Sequence, residues 1–185
     1  MKILTVNNKK EEKFLRQKTA EFDFNKYTKK EIDALIKEMK KTMLENNGIG
    51  LSANQVGLNL RFFIALIPRN YPEQSPRESA SILRESALGK FYAIFNPEII
   101  KFSENKSIME EGCLSVPNVY GLVERPEKII LIGYDKNAKK IKIKAWGLLA
   151  RVFQHEIDHL NGILFIDKVK ELYKVTSKQQ TENRV

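Results

Sequence analysis

The sequence predicts one α+β domain in which antiparallel β-sheets wrap around a C-terminal helix, with an amphipathic helix near the N-terminus. Two segments, residues 28–46 and 148–160, carry apolar side chains at helical spacing. The region between them contains several short runs of branched and aromatic residues, which are typical of strands. The length of 185 residues fits a single domain whose core is large enough to fold without disulfides.

The first amphipathic helix is predicted over residues 28–46. Thr28 and Glu31 have the spacing of a capping box, in which each side chain accepts a hydrogen bond from the backbone of the other residue. Residues 46–48, two asparagines and a glycine, provide a plausible end to the helix. The apolar face that would pack on a sheet consists of Ile32, Leu35, Ile36, Met39 and Met43.

The central region predicts strands and one long loop. Residues 61–67 form a short apolar run that Pro68 ends. Residues 68–90 contain prolines, serines and mixed charges, which indicates a surface loop with a short helix at 78–87. Further strands are predicted at residues 91–95, 98–102, 122–123, 129–134 and 141–145, with a hairpin turn at 135–139.

The second helix is predicted over residues 148–160. Its apolar side chains at helical spacing are Leu148, Leu149, Val152, Phe153, Ile157 and Leu160. We expect a single domain over residues 1–167, followed by a polar tail over residues 168–185 that forms a fraying helix.

Composition and charge exclude several classes of protein. Hydrophobic residues make up 42% and charged residues 30% of the chain, and no apolar run approaches the ~20 residues that span a bilayer. The N-terminus lacks a signal-peptide pattern and Cys113 is the only cysteine, so we expect a cytoplasmic protein rather than a disulfide-built secreted one. The net charge of +9 favours contact with polyanions, but the lysines are scattered and indicate a solvated surface.

The two histidines of the chain, His155 and His159, are four residues apart on the second predicted helix. This spacing places both imidazoles on one helix face, where one metal ion can accept a nitrogen from each. Glu156 lies beside the pair, at the position of a general base in metallohydrolases that carry this motif. Two unrelated surface histidines would not explain this coincidence, so the pattern predicts a metal site.

A third metal ligand is required, and four residues are candidates. Asp158, Asp167 and Glu171 lie close to the histidines in sequence, whereas Cys113 lies in a glycine-flanked segment at 110–117. A lone cysteine is more often a small buried hydrophobic residue. Beside an incomplete histidine pair it becomes the favoured ligand, and a Cys-His-His set leaves a fourth position open for water, as in catalytic sites.

A glycine-rich segment at residues 48–57 is the third candidate site feature. Its three glycines allow a partner to approach the backbone closely, and Gln55 supplies an amide donor. Without a phosphate-loop lysine or a dinucleotide fingerprint, the segment alone is equally compatible with an ordinary turn between a helix and a strand.

Together the three segments resemble the polypeptide deformylase family. The resemblance extends from Ile3 to about Asp167 and rests on three motifs in order: Gly48-Ile49-Gly50-Leu51-Ser52-Ala53-Asn54-Gln55, Glu111-Gly112-Cys113-Leu114-Ser115 and Gln154-His155-Glu156-Ile157-Asp158-His159. It implies removal of the N-formyl group from the initiator methionine of nascent peptides, with release of formate. It also implies a bound Fe(2+), for which Zn(2+), Ni(2+) or Co(2+) can substitute.

The resemblance further implies roles for individual residues. Cys113, His155 and His159 would hold the metal. Glu156 would be the general base, with the Gln55 side-chain amide and the Leu114 backbone N–H as oxyanion donors. Gly50 would bind the formyl end of the substrate, and Leu148, Arg151 and Val152 would line the methionine pocket, the arginine with its head group in water. The partners implied are N-formyl-Met nascent peptides and, through the basic surface, transiently the ribosome, but no membrane and no sequence-specific nucleic acid.

Some residues depart from the usual family pattern. Ser52 stands where alanine is commonest, a change we expect to be harmless. Residues 118–121, which include Tyr120, contain no arginine where some members place a peptide-contacting one. Residues 68–90 form a longer loop than is usual in bacterial members. Glu111 and Arg125 match a pair that orients the metal loop.

Four alternatives remain open from the sequence. The helix motif alone is shared with zinc endopeptidases, although no matching downstream third-ligand motif is present. A hydrolase for other N-acyl groups, or a homologue without activity, would share most of the same residues. A non-catalytic module that associates with ribosomes or RNA would explain the charge of +9 but leave the metal motif without a use.

Overall fold

The computed structural model describes residues 1–68, 84–86 and 89–174, which form three α-helices and two antiparallel sheets. The helices are α1 (Lys9–Leu15), α2 (Lys29–Glu45) and α3 (Gly147–Leu160). The strands are β1 (Gly50–Ser52), β2 (Phe62–Pro68), β3 (Arg84–Ser86), β4 (Gly89–Phe102), β5 (Lys106–Cys113), β6 (Val116–Pro126), β7 (Lys128–Tyr134), β8 (Lys140–Trp146) and β9 (Val169–Lys174). The mixed class of helices and antiparallel sheets agrees with the prediction.

Helix α3 packs on one face of the larger sheet. The strand order of this sheet is β1-β2-β4-β7-β8, and β3 pairs with the N-terminal end of β4. Alternate side chains of β8 are buried while its lysines face solvent, which is the pattern of a sheet with one covered face. The main core lies between this covered face and α3 and includes Phe63, Ile94, Leu131, Ile143, Leu149 and Phe153.

Helix α2 begins and ends as the sequence predicts. Thr28 is its N-cap, and the capping box with Glu31 is formed in both directions. Asn46 is the C-cap, and Asn47 has a φ of 57°, the left-handed conformation that ends many helices. Met39 and Met43 are fully buried, so α2 packs its apolar face into a second core with β2.

The smaller sheet corrects the prediction for the C-terminal tail. Residues 169–174 are not a fraying helix but strand β9, which pairs with β6 in the order β5-β6-β9. Val169 lies opposite Val123, and Tyr173 lies opposite Tyr120. Residues 169–174 therefore form a strand because β6 offers an edge for pairing, although the segment itself is polar. Residues 175–185 lie outside the described residues.

Other elements differ from the predictions in detail. Strands expected at 91–95 and 98–102 are one strand, β4, with an irregular register between Phe95 and Glu98. Of the helix expected at 78–87, residues 84–86 are strand β3, and the rest lies outside the described residues. The sequence did not indicate α1 or β5. None of the helices in the described ranges has the length and hydropathy to cross a membrane.

Candidate metal centre

Both histidines lie on α3, one turn apart, with ring centroids separated by 5.0 Å. The apolar face of α3 packs on the larger sheet through residues such as Leu149 and Phe153. The helix therefore directs the histidines toward the end of β5. His159 is fully buried, and the His155 side chain is only 12% exposed.

Cys113 meets the histidines from the smaller sheet. It is the last residue of β5, directly before the turn into β6, and its Sγ lies 3.1 Å from Nε2 of His159. One ligand atom each of Cys113, His155 and His159 lies within 4.8 Å of the other two, and among the described residues this is the group that could hold a metal ion. Cys113 thus lies beside two histidines that follow it by 42 and 46 positions in the sequence, which is the arrangement that the predicted ligand set requires.

The Glu111 carboxylate orients His155. His155 Nδ1 lies 2.9 Å from Glu111 Oε2, which favours the proton on Nδ1 and leaves Nε2 as the nitrogen with a free lone pair. Arg125 donates to both Glu111 oxygens, at 2.6 and 2.8 Å. Burial raises the pKa of Glu111, but the hydrogen bonds from Arg125 and His155 outweigh it and hold this pKa well below its usual range.

The thiol and the imidazoles have the chemistry of a transition-metal site. Burial raises the pKa of Cys113, but the neighbouring His159 and His155 outweigh it and hold this pKa well below its usual value, so the thiolate is favoured. Burial lowers the pKa of His155, but the hydrogen bonds to Cys113 and Glu111 outweigh it and hold this pKa well above its usual value, so a bound metal ion would displace the proton from Nε2. One thiolate and two imidazoles suit iron, zinc, nickel or cobalt better than magnesium or calcium.

Glu156 is buried between α3 and β1. Its Oε2 lies 2.6 Å from the Ser52 hydroxyl, and a Cβ added to Gly50 would overlap its Oε1. Burial raises the pKa of Glu156 despite the nearby histidines and the Ser52 hydroxyl, which lower it. A carboxylate with a raised pKa beside a candidate metal site is suited to accept and return a proton.

Gln55 and Leu114 flank the ligand cluster. The Gln55 Oε1 accepts a hydrogen bond from the Ser52 backbone, and its Nε2 points to Ser115 Oγ at 3.2 Å and to Cys113 Sγ at 3.5 Å. Leu114 lies in the turn between β5 and β6, next to Cys113. The amide of Gln55 and the backbone of this turn therefore border the same space.

A cavity of about 1020 Å³ opens over these groups. It is lined by Cys113, His155 and Glu156 and also by the residues predicted to bind substrate, Gly50, Leu148, Arg151 and Val152. Gln55 and Leu114 line it too. The structure thus brings every predicted site residue except His159, which lies beneath the floor of the cavity, to one surface.

The head group of Arg151 departs from expectation. It does not reach water: the residue is 5% exposed, and its guanidinium donates to Glu111, Ser107 and the Val123 carbonyl. A guanidinium can be buried when its donors find acceptors, and β5 and β6 provide acceptors for both Nη1 and Nη2 here.

The alternative third ligands are engaged elsewhere. Asp158 pairs with Arg125 and Lys168, and Asp167 pairs with Arg16. The side chain of Glu171 lies outside the described residues. Among the described candidates, Cys113 alone joins the two histidines.

Two serines were not recognised as site residues from the sequence. Ser52 contacts Glu156, and Ser115 accepts from Gln55 while its backbone N–H points to Cys113 Sγ at 3.4 Å. Ser115 is two residues from the thiol, and this short spacing was the available signal. Ser52 gave no comparable signal, because its partner is 104 residues away.

The arrangement defines a class of protein. A Cys-His-His donor set, with a buried carboxylate beside it and an open cavity above, is typical of mononuclear metallohydrolases.

Comparison with known proteins identifies the family. Residues 1–175 match the family model of polypeptide deformylase. A peptide deformylase of Halothermothrix orenii is 44% identical over 142 residues, which cover 77% of this chain and 79% of the relative. A peptide deformylase of Roseiflexus castenholzii is 34% identical over 181 residues, which cover 97% of this chain and 94% of the relative. This chain belongs to the polypeptide deformylase family.

Solved structures of relatives have the same fold. The Acinetobacter baumannii class I type b peptide deformylase with bound Met-Ala-Ser aligns with a TM-score of 0.75 at 32% identity, over 91% of this chain and 98% of that one. The Thermotoga maritima peptide deformylase aligns with a TM-score of 0.73 at 29% identity, over 92% of this chain and 97% of that one.

Proposed function

We propose that this chain is a metal-dependent hydrolase that removes the N-formyl group from the initiator methionine of nascent polypeptides. The observation that carries this function is the convergence of Cys113, His155 and His159 beside the buried Glu156, at the base of an open cavity. Membership of the polypeptide deformylase family selects the N-formyl amide as the bond that is hydrolysed.

Cys113, His155 and His159 would hold the metal ion through one sulfur and two imidazole nitrogens. When bound, a divalent cation supplies Lewis acidity, which lowers the pKa of water and polarises a carbonyl oxygen. We propose Fe(2+) as the resident ion, with Zn(2+), Ni(2+) or Co(2+) able to replace it, since all four accept thiolate and imidazole ligands.

Glu156 handles both proton transfers. It accepts a proton from the attacking water, whose oxygen forms a bond to the formyl carbon. When the bond between carbon and nitrogen breaks, Glu156 returns the proton to the departing amine, and formate and a free amino terminus result. Support for this role comes from its burial, its raised pKa and its place in the cavity wall.

The tetrahedral intermediate carries negative charge on the former formyl oxygen, which requires preorganised donors. We assign this function to the side-chain amide of Gln55 and the backbone N–H of Leu114. Both residues line the cavity beside Cys113, and the bond from the Ser52 backbone to Gln55 Oε1 holds the amide nitrogen toward that space. Removal of one such donor typically lowers kcat ~10²–10³-fold.

The methionine side chain would occupy the apolar part of the cavity. Leu148 and Val152 lie one to two turns before His155 on α3 and line this space, together with the stem of Arg151. Gly50 would contact the formyl end through its backbone, since it lines the cavity directly beside Glu156. In this proposal the two sheets wrap around α3, and the catalytic domain extends past residue 167 to include β9.

We place this activity in the cytoplasm, near the ribosome from which N-formyl-Met peptides emerge. The net charge of +9 supports transient attraction to ribosomal polyanions. The exposed Lys140, Lys142 and Lys144 of β8 offer one such basic surface.

A peptide assay tests the function. Purified, metal-loaded protein is mixed with formyl-Met-Ala-Ser, and release of formate and of a free amine is measured together. Acetyl-Met-Ala-Ser tests for a general N-acyl hydrolase, and an unblocked longer peptide tests for an endopeptidase. We expect formate and amine in equal amounts, with activity lost in chelator. Cleavage of an internal peptide bond, or no turnover in a metal-replete preparation, would contradict the proposal.

A further inference from the structure

Arg151 connects α3 to β5 and β6, the two strands on either side of the turn that follows Cys113. Its Nη1 donates to Glu111 Oε1 at 3.0 Å and to the Val123 carbonyl at 2.8 Å. Its Nη2 donates to the Ser107 carbonyl at 2.7 Å and to the Ser107 hydroxyl at 3.1 Å. Both nitrogens of the fork are therefore engaged, and the planar guanidinium holds β5 and β6 in a fixed relation to the helix.

Arg151 and His155 meet the same carboxylate from the same helix. They are four residues apart on α3, so both face Glu111, Arg151 at Oε1 and His155 at Oε2. Arg125 approaches the carboxylate from β6 with a second fork. Rotation of the carboxylate would break bonds to Arg151 and Arg125 at once. The acceptor that orients His155 Nδ1 is thereby held in one position.

We propose that Arg151 is a positioning residue for the metal centre: through Glu111 it fixes the orientation of the His155 imidazole. This inference rests on the proposed function, because it assumes that His155 is a metal ligand. It gives the guanidinium a role separate from that of the Arg151 stem in the substrate cavity. The two roles predict different effects, since loss of orientation weakens metal binding and loss of a pocket wall weakens substrate binding.

Arg61 provides a matched control. It also anchors α3 by its guanidinium, donating to the Leu160 carbonyl and Asn161 at the end of the helix and to the Pro97 carbonyl of β4. None of these acceptors lies on β5 or β6, the strands that hold the acceptors of Arg151. Arg61→Met and Arg151→Met therefore each remove an arginine that anchors the helix, but only Arg151→Met removes a bond to Glu111.

The experiment compares the two variants with the wild-type chain. Affinity for Zn(2+) is measured by competition with a chelator, and the visible absorption of the Co(2+)-loaded proteins reports the geometry of the ligands. The melting temperature of each metal-free protein measures the stability lost when the bonds between the arginine and its acceptors are removed. Steady-state kinetics on formyl-Met-Ala-Ser then separates kcat from KM. Arg151→Lys, which keeps the charge and most of the stem but loses the fork, is included in case Arg151→Met does not fold.

We expect Arg151→Met to bind Zn(2+) ~10–100-fold more weakly, the range typical of residues that support metal ligands, with an altered Co(2+) spectrum. Arg151→Lys should show the same effects at smaller size. Its ammonium group keeps the charge and can still donate to one strand, but it cannot bond to both strands as the guanidinium does. Arg61→Met should lower the melting temperature but keep wild-type metal affinity and spectrum. Wild-type Zn(2+) affinity in both Arg151 variants, or equal losses in Arg61→Met, would overturn the inference. Failure of the wild-type chain to bind metal would instead contradict the proposed function.

Discussion

The Ser52 hydroxyl lies 2.6 Å from Glu156 Oε2 and 2.9 Å from the Glu156 backbone carbonyl, so β1 holds the proposed general base at two points. Ser52 is fully buried and Glu156 is 3% exposed. On the other side of the carboxylate, Gly50 leaves room for Oε1 alone. Strand β1, which has three residues, therefore fixes the position of the proposed proton acceptor.

Ser52→Ala tests the hydroxyl contact. The carboxylate loses one hydrogen bond but remains confined by Gly50 and the helix, so we expect kcat to fall only by about 2–10-fold, in line with ~1 kcal/mol for one hydrogen bond. Metal content should not change, because Ser52 does not touch the ligands. Turnover and metal content are measured on the same preparation. A loss as large as that of a Glu156 variant would make the hydroxyl an obligatory member of the proton path.

Gly50→Ala tests the opposite wall. The new Cβ would overlap Glu156 Oε1 and approach Val152 Cγ1 to 3.1 Å, so the carboxylate must move. Displacement of a catalytic group by about 1 Å can cost ~10²-fold in rate. We expect kcat to fall by this order while the metal is retained, as shown by metal analysis. Near-normal kcat in Gly50→Ala would show that Glu156 need not occupy its present position.

The sequence predicts elements well where local chemistry decides them. The capping box of Thr28 and Glu31 located the start of α2, and the spacing of His155 and His159 placed both imidazoles one turn apart on α3. Such signals lie within a few residues of one another, so they can be recognised without knowledge of the fold.

Elements that depend on distant partners escape such reasoning. In β5 the usual pattern is inverted, since Ile108 is 63% exposed while Glu111 is buried among arginines. Alternation of polar and apolar residues therefore gave no indication of a strand. The burial of the Arg151 head group has the same cause, because its acceptors are 28 to 44 positions away on β5 and β6.

Cys113→Ser tests the third ligand. A serine hydroxyl lacks the lowered pKa that favours the thiolate, so it is a poorer ligand for a transition metal. We expect metal content and turnover to fall together, with a loss of affinity beyond the ~10–100-fold typical of supporting residues. Metal analysis after dialysis against a metal buffer measures the first effect. Full occupancy with unchanged turnover would remove Cys113 from the ligand set.

The identity of the resident metal is tested by the method of preparation. A thiolate beside Fe(2+) is open to oxygen, which oxidises both the metal and the sulfur. We therefore expect anaerobically prepared iron protein to turn over formyl-Met-Ala-Ser much faster, per bound metal atom, than an aerobic or zinc-loaded preparation. Equal rates for the iron and zinc forms would contradict the assignment of Fe(2+).

Glu156→Ala separates the general base from the metal ligands. The variant should retain its metal, because Cys113, His155 and His159 are untouched and α3 keeps its apolar contacts with the sheet. Turnover should still fall by at least ~10²–10⁴-fold, since one group handles both proton transfers.

The effect of Glu156→Ala should appear mainly in kcat, because the formyl-methionine contacts are assigned to Gly50, α3 and the backbone rather than to this carboxylate. If Glu156 only supported the metal site, its loss would weaken metal binding and added metal would restore the rate. Ser52→Ala is the matched control, as it removes the contact but keeps the carboxylate. Near-normal kcat in metal-replete Glu156→Ala would show that the proton is taken by another group. A rate that stays low at full metal occupancy, while Ser52→Ala remains active, would assign the proton transfers to Glu156 itself.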